Sequence, residues 1–150
     1  MKTYVLIISN KFPKTHARAG EETSFVRMID MGLKIHTIRG NYEFWRKRFD
    51  KIAKGEAVLS VRTWSGKPYR KGGSQVEVFK FDIADGIGIQ KLQKIGMPMS
   101  PFDFKAGSSY ATYHLLSKND GLSLGDFKEW FKNCDFSEPM VIIHFTKFRY

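Results

Sequence analysis

Apolar residues recur at every second position in some stretches of this chain and every three to four in others, and the order of these spacings limits the fold more than any other feature. Tyr4 to Ser9 reads as a first strand. Glu21 to Met31 follows as a short helix with Phe25, Met28 and Ile29 at helical spacing, and Gly32 stops it. Residues 34 to 39 are extended, and Tyr42 to Lys54 is a second helix that packs Trp45, Phe49 and Ile52 on one side before Gly55 closes it. From Glu56 the period drops to two: Ala57, Leu59 and Val61 face one way and Ser60, Arg62 and Trp64 the other, a half-buried strand. A turn at SGKPY and a basic, glycine-rich loop through Ser74 lead into a returning strand, Val76 to Ile83, so the two form a long hairpin.

Ile87 to Leu92 extends the sheet, and Gly96 to Gly107, with Pro98 and Pro101, reads as an irregular loop. Tyr110 to Lys118 is helical and is broken at Asn119, Asp120 and Gly121. Ser123 then caps a further helix, with Asp126 three residues on and Leu124, Phe127, Trp130 and Phe131 as its buried stripe. Met140 to Phe148 turns Val141, Ile143 and Phe145 inward as a closing strand that should pair with an early one. Strands interrupted by helices in this way imply an α+β class built around a small, mostly antiparallel barrel flanked by short helices.

A chain of 150 residues is the size of one domain, spanning 1–150, and is long enough to bury a core without staples. Hydrophobic content of 42% with 27% charged residues excludes a disordered composition. The single cysteine, Cys134, excludes an intrachain disulfide and a cysteine-rich zinc cluster. The apolar run near the start is too short for the core of a signal peptide, and nothing approaches the roughly 20 apolar residues of a membrane span. The expectation is a soluble, cytoplasmic protein without membrane contact. His16, His36, His114 and His144 lack metal-ligand spacing, and Gly86 and Gly88 lack the strand, turn and long helix of a dinucleotide site, so neither a metal nor a cofactor is expected.

Charge points toward a partner. Twenty-five Lys and Arg against 15 Asp and Glu give a formal net charge of +10, which draws a polyanion. The cations gather in KFPKTHARAG, RGNYEFWRKRFDK and WSGKPYRKGG, beside Tyr42, Trp45, Trp64 and Tyr69. Planar aromatics among cations suit nucleic acid, because bases stack on rings while phosphates pair with the charges. An ordinary solvated basic surface, with the aromatics turned inward, is the competing explanation.

The stretch GLKIHTIRGNY, residues 32 to 42, is the densest gathering of chemistry. In an extended segment Ile35, Thr37 and Arg39 share one face and Lys34, His36 and Ile38 the other, and neither face is purely apolar. Core packing alone does not explain that pattern. A threonine hydroxyl becomes a nucleophile only when a base takes its proton, and a lysine is such a base if desolvation or a second cation, here Arg39, lowers its pKa. The planar fork of Arg39 also suits a phosphate or a carboxylate. Each residue has a plainer explanation: Lys34 as an exposed strand lysine, Thr37 as a β-former, Asp120 as a helix-boundary residue.

Gly32, Lys34, Thr37, Ile38 and Arg39, followed by Asp120, Gly121, Phe127 and Phe131 in NDGLSLGDFKEWF and then an apolar last strand, resemble the ASCH family of the PUA-like superfamily. The likeness covers most of the chain from about residue 24 to 148. It implies a PUA-like β-barrel with a cleft between the lysine-bearing strand and the helix that carries the acid. It also implies binding of RNA or a nucleotide, or, as in some small bacterial members, hydrolysis of the acetyl amide of N4-acetylcytidine. In those enzymes a lysine, a threonine and a glutamate form the proposed catalytic group. Carried over by motif they fall on Lys34, Thr37 and Asp120, the last a methylene shorter and so reaching about 1.5 Å less.

Two functions follow as expectations. In the first, a basic cleft binds RNA, a nucleotide or a modified nucleoside through Arg39, Arg62, Trp64, Lys67, Tyr69 and His36. In the second, the chain is an amidohydrolase of an acylated nucleoside that works through Lys34, Thr37 and Asp120.

Overall fold

A computed structural model describes residues 1–66, 71–96 and 102–150 and gives them an α+β architecture of two sheets and four helices. The first sheet has the order β1 (Lys2–Ile7), β3 (Ala57–Ser65), β4 (Ser74–Phe81). The expected hairpin is the antiparallel β3–β4 pair, while β1 runs parallel to β3. A parallel partner needs a long crossover, and this one holds α1 (Phe25–Asp30), β2 (His36–Arg39) and α2 (Tyr42–Ala53). Because β3 is the central strand and α2 packs against it, Val58 and Ser60 are buried along with Leu59 and Val61, so its first half is covered on both faces and not half-buried. A bulge between Val61 and Arg62 moves the pairing from Phe79 to Glu77.

The second sheet has the order β2, β8 (Met140–His144), β5 (Gly88–Lys94), β6 (Phe104–Ala106), β7 (Ser109–Ala111). The closing strand does pair with an early one: β8 lies antiparallel to β2, with Thr37 opposite Ile143 and Arg39 opposite Val141. It stops at His144, short of Phe148. Two readings from the sequence are corrected here. Phe104 to Ala106 is a strand inside the expected loop, and Ser109 to Ala111 is a strand at the start of the expected helix, which begins at Tyr113. Three-residue strands are too short to display a period, and what fixes them is burial of Phe104, Ala106 and Ala111 together with a turn at Gly107 (φ +61°).

No strand pairing joins the two sheets among the described residues, which form two separate ladders with no closed barrel found there. Where β2 approaches β1, a side chain spans the gap: Arg39 Nη2 donates to the Ile7 carbonyl at 2.7 Å. α1 begins at Phe25, later than the apolar spacing suggests, because Glu22 bridges Lys11 and Ser24 takes a left-handed conformation (φ 61°). α3 (Tyr113–Asn119) and α4 (Leu124–Trp130) follow β7. Ser123 caps α4 as expected, its hydroxyl accepting from the Asp126 backbone N–H, but Leu124 is 38% exposed and not part of the buried stripe. Among the described residues no helix is long and apolar enough to cross a membrane.

Candidate functional site

The end of α3 builds one wall of the site. Asp120 is its C-cap; Gly121 N–H bonds Lys118 O and Leu122 N–H bonds Ser117 O, the paired closure that a glycine with φ +76° permits. A Cβ added at Gly121 meets Lys34 Cβ at 3.0 Å. Gly121→Ala is therefore expected to cost about 1–2 kcal/mol in the left-handed conformation alone, with more from the contact, measured as a drop in urea midpoint. The opposite wall is the turn out of α1, where Leu33 and Lys34 both donate their N–H to Met28 O and Ile35 N–H reaches Asn119 O. That bond draws residue 34 against the end of α3.

Lys34 is only 2% exposed. Its Nζ donates to the Asp120 carbonyl at 2.7 Å and to Asp120 Oδ1 at 3.0 Å, and stands 4.1 Å from the centre of the Phe25 ring. The ammonium thus caps the negative end of α3 while pairing with its terminal carboxylate. Burial lowers the Lys34 pKa more than Asp120 raises it, and Arg39 lowers it further. Burial pushes the Asp120 carboxyl upward, but Lys34 and His36 outweigh it and hold the group below its ordinary value.

His36 lies behind this pair. Its Nδ1 is 3.3 Å from Asp120 Oδ1 and its Nε2 is 2.7 Å from the Tyr150 hydroxyl, which accepts from Asn119 Nδ2 at 3.0 Å. An ionised carboxylate only accepts, so Nδ1 carries the proton and Tyr150 donates to Nε2. This relay holds the acid in place and keeps the imidazole neutral, in line with the lowering of its pKa by burial.

Thr37 and Arg39 share the strand face expected from alternation: Arg39 Nη1 donates to Thr37 Oγ1 at 2.7 Å and to Ile38 O at 2.9 Å. Lys34, Thr37, Arg39 and Asp120 all line one cavity of about 370 Å³, closed by Phe25, Trp130 and other apolar side chains. Residues 34 and 120, 86 positions apart, therefore meet as the motifs suggest. No protein-family model, curated protein or solved structure matches the chain.

The remaining candidates fall elsewhere. His36, expected as a binding residue, is fully buried and is not among the residues lining this cavity; it backs Asp120. Arg62 is tied to Ser60 Oγ (2.8 Å) and Gln75 Oε1 (3.2 Å) past the β3 bulge, which removes it from this cavity. Trp64 lines a neighbouring groove of about 1300 Å³ that shares Ile7, Ser9 and Phe25 with the cavity. Lys67 and Tyr69 lie outside the described residues. Sequence reasoning missed Ser9 and the C-terminal Tyr150, and took Phe25 and Trp130 for core positions only. Helical spacing marks a side chain as inward-facing without telling packed core from cavity wall. Among the described residues no group of three or more His, Cys, Asp or Glu side chains is placed to hold a metal ion.

Proposed function

We propose that this chain is a PUA-like domain of the ASCH type that binds a nucleotide, a modified nucleoside or a nucleotide unit of RNA in the cavity between β2 and the end of α3. One observation carries the proposal: a buried lysine, a threonine, an arginine and a buried carboxylate line the same hollow. Its volume of about 370 Å³ suits a single nucleoside-sized ligand and falls inside the usual range for small-molecule pockets. Ionisable groups perturbed by burial and a specific charge partner inside a cleft are candidates for a functional site. The net charge of +10 favours an anionic partner, and on this reading the two sheets are the sides of a small barrel working in the cytoplasm. Calorimetric titration with nucleosides, nucleotides and short RNA tests it: binding that is lost in Lys34→Met supports the proposal, and no binding at millimolar ligand removes it.

A second reading, amide hydrolysis of N4-acetylcytidine or a related acylated nucleoside, draws on the Arg39 bond to Thr37 Oγ1. A guanidinium donating to a hydroxyl oxygen favours the alkoxide, as a nucleophile requires. In that reaction Lys34 first gives a proton to Asp120 across their 3.0 Å contact, and the neutral amine then takes the proton of Thr37 Oγ1 as that oxygen bonds to the acetyl carbon. The C–N bond then breaks as the nitrogen takes a proton, and water releases acetate from the threonine ester. The shorter acid is no obstacle to contact with the lysine, since Asp120 reaches Lys34 directly at 3.0 Å. Acetate release from N4-acetylcytidine that Thr37→Ala abolishes is the expected result; no turnover across a panel of acylated nucleosides leaves only the binding function.

A further inference from the structure

The charges around the cavity do not cancel. Lys34 is matched by Asp120, and His36 is neutral in the hydrogen-bonded arrangement above. Arg39 lines the same cavity and makes no ion pair among the described residues. Its protein partners are all neutral oxygens: Thr37 Oγ1 and Ile38 O for Nη1, Ile7 O for Nη2. Those bonds fix the plane of the guanidinium and leave Nε–H and one Nη2–H without a partner among the described residues. A guanidinium does not shed its charge, and burial depresses its pKa, so the site holds one more positive charge than negative. An uncompensated cation in such surroundings is unfavourable until an anion joins it.

We infer that the cavity takes its ligand as a phosphate ester, the phosphate oxygens accepting from Arg39 Nε–H and Nη2–H while the rest of the nucleotide lies toward Lys34 and Asp120. A rigid fork with two donors to spare matches the oxygens of a phosphate, and its three existing bonds hold it ready before the ligand arrives. The inference rests on the nucleotide-binding reading and narrows it from nucleosides in general to phosphorylated ones. The phosphate belongs either to a free nucleotide or to an RNA backbone, and the chemistry at Arg39 is the same for both.

The test is calorimetric titration of the intact protein with each ribonucleoside, its 5′-monophosphate and a dinucleoside monophosphate. A monophosphate is expected to bind about ten- to a hundredfold tighter than its nucleoside, the size of one or two charge-assisted hydrogen bonds. A dinucleoside monophosphate that binds tighter still assigns the phosphate to RNA, whereas preference for the mononucleotide assigns it to free nucleotide; either result supports the inference. Equal affinity for a nucleoside and its monophosphate overturns it while leaving the nucleoside-binding reading intact, and no binding by any of them overturns both. Because Arg39 also ties β2 to β1, Arg39→Ala is open to misfolding. Arg39→Lys is compared instead by the ratio of the two affinities on the same variant. That ratio is expected to fall toward one, and an unchanged ratio places the phosphate elsewhere.

Discussion

Asp120→Ala is expected to lower stability by about 3–5 kcal/mol, read as a fall in urea midpoint at neutral pH. The carboxylate is 3% exposed and is the charge partner of Lys34 and the acceptor for His36 Nδ1–H. Its removal leaves a buried ammonium facing the Phe25 ring with one acceptor, the residue 120 carbonyl. For a domain whose total stability is about 5–15 kcal/mol, that loss is large enough to reduce the folded yield. The double variant Lys34→Met with Asp120→Leu is expected to recover most of it, since an apolar pair of similar volume avoids desolvating two charges. Recovery of the fold without recovery of ligand binding assigns the ion pair to function. If Asp120→Ala costs under about 1 kcal/mol, Lys34 is not held as a buried cation and the account of the cavity is wrong.

Acid is expected to unfold the protein earlier than its carboxylates alone require. His144 is fully buried; its Nε2 is 3.0 Å from Gln90 Oε1, and its Nδ1 has no partner among the described residues. A proton on Nδ1 therefore meets no acceptor. Burial, with His36 and Arg149 nearby, pulls the His144 pKa down to about 3. Below the ordinary histidine value of about 6.5 the unfolded chain takes up a proton that the native state refuses, so stability falls as pH falls, by about 1.4 kcal/mol per pH unit. The loss continues until the pH reaches the folded pKa of about 3. His36, also lowered by burial, acts in the same direction. Urea midpoints between pH 6.5 and 4.5 are expected to report a loss of about 2–3 kcal/mol, with a flatter dependence in His144→Gln. A wild-type midpoint that is level over this range refutes the assignment.

Long, strongly patterned elements were legible from the residues alone. α2 follows its stripe of Trp45, Phe49 and Ile52, and the β3–β4 hairpin and the β8 pairing with β2 follow their alternation. What escaped was set by contacts that no local spacing encodes. β6 and β7 exist because β5 offers a neighbour and the core takes up Phe104, and burial of both faces of β3 follows from its central place in the sheet together with α2 packed against it. At the site, the conjunction of Lys34, Thr37, Arg39 and Asp120 was readable from two short motifs. Which way His36 points, and the part played by Tyr150, depend on a segment more than a hundred residues further along. The geometry also commits one carboxylate oxygen of Asp120 to Lys34 and His36 together, which no motif spacing conveys.

The lysine and its acid partner are separated by 86 residues, and β2 pairs with the distant β8. Closing so wide a loop is an entropic cost met only when most of the native contacts already exist. The hollow is thus expected to form late, once β2, the end of α3 and β8 have come together, and ligand recognition reports on that assembly. A tight ligand would in turn protect the end of α3, Gly121 and β8 together, as a single unit in amide exchange.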